Sequence, residues 1–391
     1  MPDYVEATID AIRTIQPRLA SRAAEYELAR RIPPDVVAEL QRLGVFRMNT
    51  PKSHGGLELP LRDSLAIVSE IARVDGSLGW VCALNGFAPV HLGQLPRQTY
   101  DLIYRDGPDV KVAGSGIPGG TAEVVDGGYQ VTGRWPFVSG CNHADWIGAF
   151  CVATRNGIAM QGPSEGMPAI RIVVLPAKNW QIEDTWFAEG LKGTGSHHIA
   201  LKDVRVPEIQ VVDPFKGAPT LPGPLFTAGP GIVVTSHAAF AVGLAEGAVQ
   251  DLINLTATGH RPALGRIELR NSPTFQYELG RVDAHLRAAR SLMWEQCDKD
   301  WQDALAGRAA ELDRVTRRHQ AAAWVTETCA HVIGVCFRLG GGIAVFDSSP
   351  LQRRLRDINA AAQHAVVHTR HYLPTGAQIL GHPPVHPLFA A

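Results

Sequence analysis

Two changes of texture along the chain leave few folds open to it. Residues 1 to about 110 carry apolar positions at helical spacing, the next hundred alternate at strand spacing, and the remainder returns to long helical runs. A period near 3.6 and a period of 2 cannot be served by one kind of element. Helices, then a block of strands, then helices again predict an α+β chain whose strands form a layer of their own.

Each part has its own punctuation. Pro33 and Pro34 open the segment DVVAELQRLG, which closes on Gly44, the usual asymmetry of a helix with Pro at its start and Gly past its end. Leu61, Leu65, Val68 and Ala72 share one stripe, widened by Ile67, Ile71 and Val74, and a further helix is expected from Ser77 to about Leu92. From 111 to about 215 the runs AEVV, YQVTG, WIGAFCVA, AIRIVVLPA and HHIALKDVRVP are separated by turn residues, with Asp126-Gly127-Gly128 as a hairpin signal. These predict a small antiparallel β domain. After a Pro/Gly-rich connector, helices are expected at 272–306, 309–339 and 350–380. Gly243 and Gly247, four apart, allow a close helix approach. The expected division is 1–110 helical, 111–225 β and 226–391 a C-terminal four-helix bundle.

Composition excludes several classes. With 45% hydrophobic residues and a net charge of −1, the chain is not of the disordered type. Its 37 basic residues are matched by 38 acidic ones, and Arg353, Arg354 and Arg356 form its one tight basic cluster, so no nucleic-acid partner is expected. MPDYVEATIDAIR carries acids where a signal peptide would carry Lys or Arg. The most apolar later stretch, Gly231 to Val249, is interrupted by Thr235, Ser236, His237 and Glu246, which reads as no membrane span. A cytoplasmic protein is therefore expected. The six scattered cysteines contain no C-x-x-C pair and read as reduced, buried thiols, with no metal.

Three segments could carry chemistry. GLKGTGS (Gly190 to Ser196) offers backbone amides and the Thr194 and Ser196 hydroxyls to a phosphate or a flavin's polar edge, although a plain glycine turn has the same look. WPFVSGCNHADW places Trp135, Phe137 and Ser139 where a flat aromatic cofactor could find a wall; strand core plus turn is the plainer reading. The helix expected after Pro350 carries His364, His368 and His371 at i, i+4 and i+7, all on one face. They read as a metal pair lacking an acid, as a core or interface face, or as a general base at one position.

GRWPFVSGCNHADW, DTWFAEGLKGTGSHHIALKDVRVPE and FRLGGGIAVFDSSPLQRRLRDINAAAQH, in that order and spacing, resemble the acyl-CoA dehydrogenase superfold. More closely they resemble its flavin-dependent monooxygenase branch of two-component oxygenases. The resemblance implies a homotetramer and a separate NAD(P)H:flavin reductase. That partner would supply reduced FMN or FAD, which would react with O2 through a C4a-hydroperoxide to oxygenate a small, aromatic or heteroaromatic substrate. Carried over by motif position, Ser139 is expected near flavin N5, and His364, seven residues after the Arg356-Asp357 pair, as the base or orienting group beside the substrate. Ser115, Trp135, Phe137, Thr194, Ser196 and Gly341 are expected to contact the flavin. Phenol hydroxylases of the branch carry a histidine where this chain has Ala88, with His91 nearby.

The same fold can instead desaturate acyl-CoA thioesters, using a glutamate as base. The two positions that glutamate occupies in the family are Ala365 and Ser236 here, which disfavours dehydrogenation. A non-catalytic flavin-fold binding protein is the third reading, and retention of Ser139 and His364 speaks against it.

Overall fold

A computed structural model describes residues 2–163, 166–214, 219–261 and 267–382. The N-terminal part consists of α1 (Pro2–Ser21), α2 (Ala23–Ala29), α3 (Pro34–Arg42), α4 (Leu61–Val74), α5 (Gly76–Gly86), α6 (Ala88–Leu92) and α7 (Arg97–Ile103). Helix α3 begins on Pro34 and buries Val36, Val37 and Leu40, and Gly44 past its end adopts φ +79°, as the Pro–Gly punctuation predicts. The apolar stripe of α4 is buried along its length. Asp75 ends α4 in extended backbone and caps α5 by accepting the Leu78 N–H at 3.1 Å. The helix expected to run from Ser77 to Leu92 is broken in two, because Pro89 starts a new helix and cannot continue the old one.

The sheet contains β1 (Val112–Val125), β2 (Gly128–Val138), β3 (Trp146–Arg155), β4 (Ile158–Ala159), β5 (Ile170–Pro176), β6 (Gln181–Glu183), β7 (His197–Pro207) and β8 (Val211–Val212). Their order is β6-β7-β2-β1-β3-β5-β8, with β4 on β3. The β1–β2 hairpin closes at Val125↔Gly128 around Gly127, whose φ of +72° needs no Cβ strain. One ladder corrects the antiparallel expectation: after β2 the chain crosses over β1 through Ser139–Asp145, so β3 lies parallel to β1. Alternation within single strands could not reveal that crossover.

Beyond α8 (Pro224–Thr227) come α9 (Val234–Ala257), α10 (Pro273–Leu305), α11 (Leu312–Gly340), α12 (Pro350–Ala361) and the short α13 (Tyr372–Ile379). By length and composition α9 and α11 could cross a membrane. Yet 89% of the apolar window around α9 is buried inside the fold, against 44% for α11. Helix α9 lies against α4, where a Cβ on Gly243 would sit 2.0 Å from the Ser69 carbonyl oxygen, which explains the paired glycines. Its first turn is tied to α10 and α11. Thr235 donates to Asp300 at 2.7 Å, and Asp300 pairs with the fully buried Arg318 at 3.0 Å. All six cysteines are buried and free, and no cluster of three metal-binding side chains exists among the described residues.

The last helix is shorter than its expected span of 350–380. It ends at Ala361, and two 3-10 turns (Ala365–Val367 and Thr369–His371) follow. His364 and His368 each turn Nδ1 onto the N–H two residues ahead, at 3.4 and 3.1 Å. Such local bonds offer the backbone an alternative to the helix ladder. The single face of His364, His368 and His371 therefore does not form.

Candidate functional site

One buried cluster draws on all three parts of the chain. Trp80 comes from α5, Ser139 from the turn after β2, Thr194 and Ser196 from the GLKGTGS loop, His237 and Phe240 from α9, and His364 from the turn after α12. The Trp80 ring is met edge-on by His237 at 5.3 Å, Phe240 at 5.2 Å and His364 at 5.6 Å between centroids. Its Nε1–H donates to Ser139 Oγ at 3.1 Å. Ser139 Oγ lies 2.7 Å from Ser196 Oγ, which lies 2.6 Å from Thr194 Oγ1.

Several amides of the GLKGTGS loop are not open to a phosphate, because the protein already uses them. Leu191 N–H donates to Asp357 Oδ1 at 2.6 Å, Gly193 N–H to Ser77 Oγ at 3.1 Å and Thr194 N–H to the Leu191 carbonyl at 3.1 Å. The Arg356-Asp357 pair thus clamps the loop from α12. Asp357 sits in full burial beside Asp75, and burial first, then that second carboxylate, pushes its pKa up to about 7. Burial raises Asp75 as well.

The histidines differ sharply in their bonding. His364 Nδ1 accepts the Val366 N–H, so the neutral ring carries its proton on Nε2. Burial lowers its pKa to about 4, which keeps the ring uncharged at neutral pH. His237 is stacked on it at 4.7 Å, with a 33° tilt. Neither nitrogen of His237 has a hydrogen-bond partner among the described residues, though the ring is only 6% exposed. The Val233 carbonyl one turn back favours its proton weakly, outside hydrogen-bonding geometry, and accepts from Ser236 Oγ instead. Desolvation, then the neighbouring His364, His91 and His319, holds His237 well below its ordinary pKa. His91 is exposed as a residue, yet desolvation by the protein around its ring lowers its pKa to about 4.

The expected site residues therefore separate. Ser139, Thr194, Ser196 and His364 come together. Trp135 does not join them: its ring is wholly buried in the sheet, edge-on to Trp180, and its Nε1–H donates to the Phe150 carbonyl at 2.6 Å. It is strand core rather than a cofactor wall. Phe137, two residues from Ser139, is 59% exposed and holds a positive φ of 62°, a strained conformation for a bulky residue. It stands near Trp186 and His198, each at 6.4 Å, on the open side of the β2 end. Ser115 is buried on β1, and Gly341 lies exposed past α11 at φ +62°. His368 is exposed and His371 is buried with Nε2 2.7 Å from the Ala365 carbonyl, so neither faces the cluster. Sequence reasoning passed over Trp80 and His237 as site residues. The one available signal was an ionisable ring in the first turn of a stretch whose next residues, Ala238 to Ala245, are all small or apolar.

Comparison with known proteins decides among the chemistries this fold can host. Residues 6–92 match the acyl-CoA dehydrogenase N-terminal domain and residues 235–369 its C-terminal domain. The chain is 33% identical over 345 residues to an indole-3-acetate monooxygenase of Acinetobacter baumannii, covering 88% of this chain and 86% of that protein. It belongs to the flavin-dependent monooxygenases of the acyl-CoA dehydrogenase family. This monooxygenase is also 29% identical over 362 residues to the oxygenase component of an FADH(2)-dependent resorcinol hydroxylase from a Rhizobium strain, covering 88% of this chain and 86% of that protein. The crystal structure of 3-HSA hydroxylase from Rhodococcus sp. RHA1 superposes with a TM-score of 0.88 at 27% identity, covering 98% of both chains. The chain is thus an enzyme, the oxygenase component of a flavin-dependent system. The dehydrogenase reading fails on both counts, since Ala365 and Ser236 supply no base and the relatives named here are oxygenases.

Proposed function

We propose that this oxygenase takes reduced flavin from a separate NAD(P)H:flavin reductase and oxygenates a small neutral aromatic ring held against His237, His364 and His91. The observation that carries the reading is the convergence of Trp80, Ser139, His237 and His364 in one buried cluster. The residues fit a flavin. Ser139 Oγ, 5% exposed, accepts one bond from Trp80 and retains a lone pair, and His237, edge-on to the same Trp80 ring, offers two unpartnered nitrogens. Ser139 would meet the reactive edge of the ring system and Phe137 its open side. Bound reduced flavin supplies the electrons that split O2, one oxygen entering the substrate and the other leaving as water.

The protein's own contribution is a dry, neutral recess. His364, uncharged with its proton on Nε2, donates to an oxygen or nitrogen of the substrate, and His237 can accept or donate as its partner requires. Rings held neutral at pH 7 are poor sinks for a phenolic proton. That favours an indole-like substrate over a simple phenol, in keeping with Ala88 where phenol hydroxylases of the branch carry histidine. Reduced FAD is the flavin favoured by the name of the resorcinol hydroxylase relative, with FMN the alternative. A homotetramer would cover the exposed Val345 and Phe346 that follow α11.

The test supplies reduced FAD or FMN from an unrelated NADH:flavin reductase, with 18O2 and a panel including indole-3-acetate and resorcinol. One labelled oxygen in an indole-class product is the expected result. Label in resorcinol alone overturns the indole preference, and anaerobic bleaching of bound oxidised flavin by acyl-CoA esters overturns the oxygenase reading itself.

A further inference from the structure

We propose that Trp80, Ser139, Ser196 and Thr194 form a one-way hydrogen-bond chain that makes the site select reduced over oxidised flavin, with Thr194 and Ser196 as the positioning residues that set its direction. The proposal rests on the reading that flavin N5 lies against Ser139.

The direction follows from counting protons. Three short O···O contacts run in series: Ser139 to Ser196 at 2.7 Å, Ser196 to Thr194 at 2.6 Å, and Thr194 to the Leu191 carbonyl at 2.7 Å. Each contact needs one proton between its oxygens, and three hydroxyls supply three protons. The carbonyl has none, so Thr194 must donate to it. Ser196 must then donate to Thr194, and Ser139 to Ser196. At the other end Trp80 Nε1 can only donate. No other arrangement satisfies every contact. The chain runs from the indole N–H to the carbonyl, and its hydroxyls are at most 5% exposed, where water cannot readily substitute.

Its far end is held firmly. The Leu191 carbonyl also accepts the Trp186 Nε1–H at 3.0 Å and the Thr194 N–H at 3.1 Å. Leu191 itself sits at φ +52°, with its own N–H on Asp357. Reversing the chain would break the buried bond from Thr194, and the carbonyl has no proton to return.

Ser139 is consequently an acceptor and nothing else toward a further neighbour. Its proton is committed to Ser196, one lone pair is taken by Trp80, and one lone pair remains. Reduced flavin carries hydrogen on N5 and can donate to that lone pair. Oxidised flavin presents a bare lone pair at N5, which faces another lone pair. One made bond against one buried mismatch corresponds to about a tenfold or greater difference in affinity. An oxygenase component that receives reduced flavin from another protein and must discard the oxidised form needs that bias.

Affinities of oxidised FAD and FMN, by fluorescence titration, and of dithionite-reduced FAD and FMN, under anaerobic conditions, give the ratio Kd(oxidised)/Kd(reduced). Ser196→Ala or Thr194→Val frees the Ser139 hydroxyl to turn and donate to oxidised N5. Each is expected to lower the ratio by about tenfold or more, chiefly through tighter binding of oxidised flavin. Thr194→Ser keeps the hydroxyl and is expected to keep the ratio. If Thr194→Val does not fold, Ser196→Ala carries the test. A ratio unchanged in the variants, including one kept while both affinities fall together, overturns the proposal. Failure of the underlying reading looks different: Ser139→Ala would then leave both affinities of both flavins unaltered.

Discussion

Replacing His237 should make the protein more stable and less useful. The ring is 6% exposed with both nitrogens unpartnered, whereas its neighbours Trp80 and His364 are hydrogen-bonded. A buried polar group left unsatisfied costs about 1–3 kcal/mol, so two nitrogens set an upper bound of about twice that. His237→Phe removes both and keeps the ring against Trp80 and His364, and its extra bulk returns about 1–3 kcal/mol in overpacking. His237→Leu avoids the bulk but gives up two aromatic contacts, each worth about 0.5–1.5 kcal/mol. Both routes leave a net stabilisation of about 1–3 kcal/mol. With about 2.1 cal/mol/K of unfolding entropy per residue, a chain of 391 residues then gains roughly 1–4 °C in Tm. Thermal unfolding of the flavin-free protein reads the stability. Product formed against H2O2 released, with reduced flavin and O2, reads the function, which should fall about tenfold or more with the loss of the substrate's partner. A lower Tm in both variants would refute the reasoning, because it would mean that the imidazole is satisfied in the folded protein. Unchanged coupling would show that the nitrogens do not await a substrate.

Ser139→Ala should weaken reduced-flavin binding about tenfold or more and lower Tm by roughly 1–4 °C, because the buried Trp80 Nε1–H loses its acceptor, as read by anaerobic titration and thermal unfolding; equal affinity would make Ser139 a turn residue only. His364→Ala should shift single turnovers from product to H2O2 by about tenfold or more, the loss of one hydrogen bond to the substrate. His368→Ala should couple like the parent, because His368 is an exposed turn cap, and the reverse result would refute the assignment. Asp357 titrates near 7 in the fold and near 3.8 when unfolded, so its contribution to stability is complete below about pH 4 and is lost as pH rises through 7. Asp357→Asn should therefore gain on the parent between about pH 4 and 7, by up to about 1.4 kcal/mol per pH unit, and parallel Tm–pH curves would contradict it.

The helix–sheet–helix division, the α4 stripe, the β1–β2 hairpin and the close glycine contact on α9 were legible in the chain itself. Each depends on period, turn chemistry or missing side chains within one segment, and such local physics is written in consecutive residues. The GLKGTGS hydroxyls offered Thr194 and Ser196, and the resemblance of three separated blocks to a known fold supplied the roles expected of Ser139 and His364. What only the tertiary structure decided was the company these residues keep. Trp135 and Ser139 are four positions apart in one motif, yet one ring is sealed in the sheet while the other side chain reaches Trp80 from a different domain. The parallel β1–β3 ladder depended on which side of β1 the chain crossed. The histidine face expected after Pro350 vanished because two imidazoles prefer the N–H groups just ahead of them. His237 was one of several polar interruptions of an apolar stretch until folding placed it on His364 with no partner of its own among the described residues. Period and propensity fix which way a side chain faces within its element. Hydrogen-bond partners, desolvation and proton direction depend on what other elements bring to the same few ångströms.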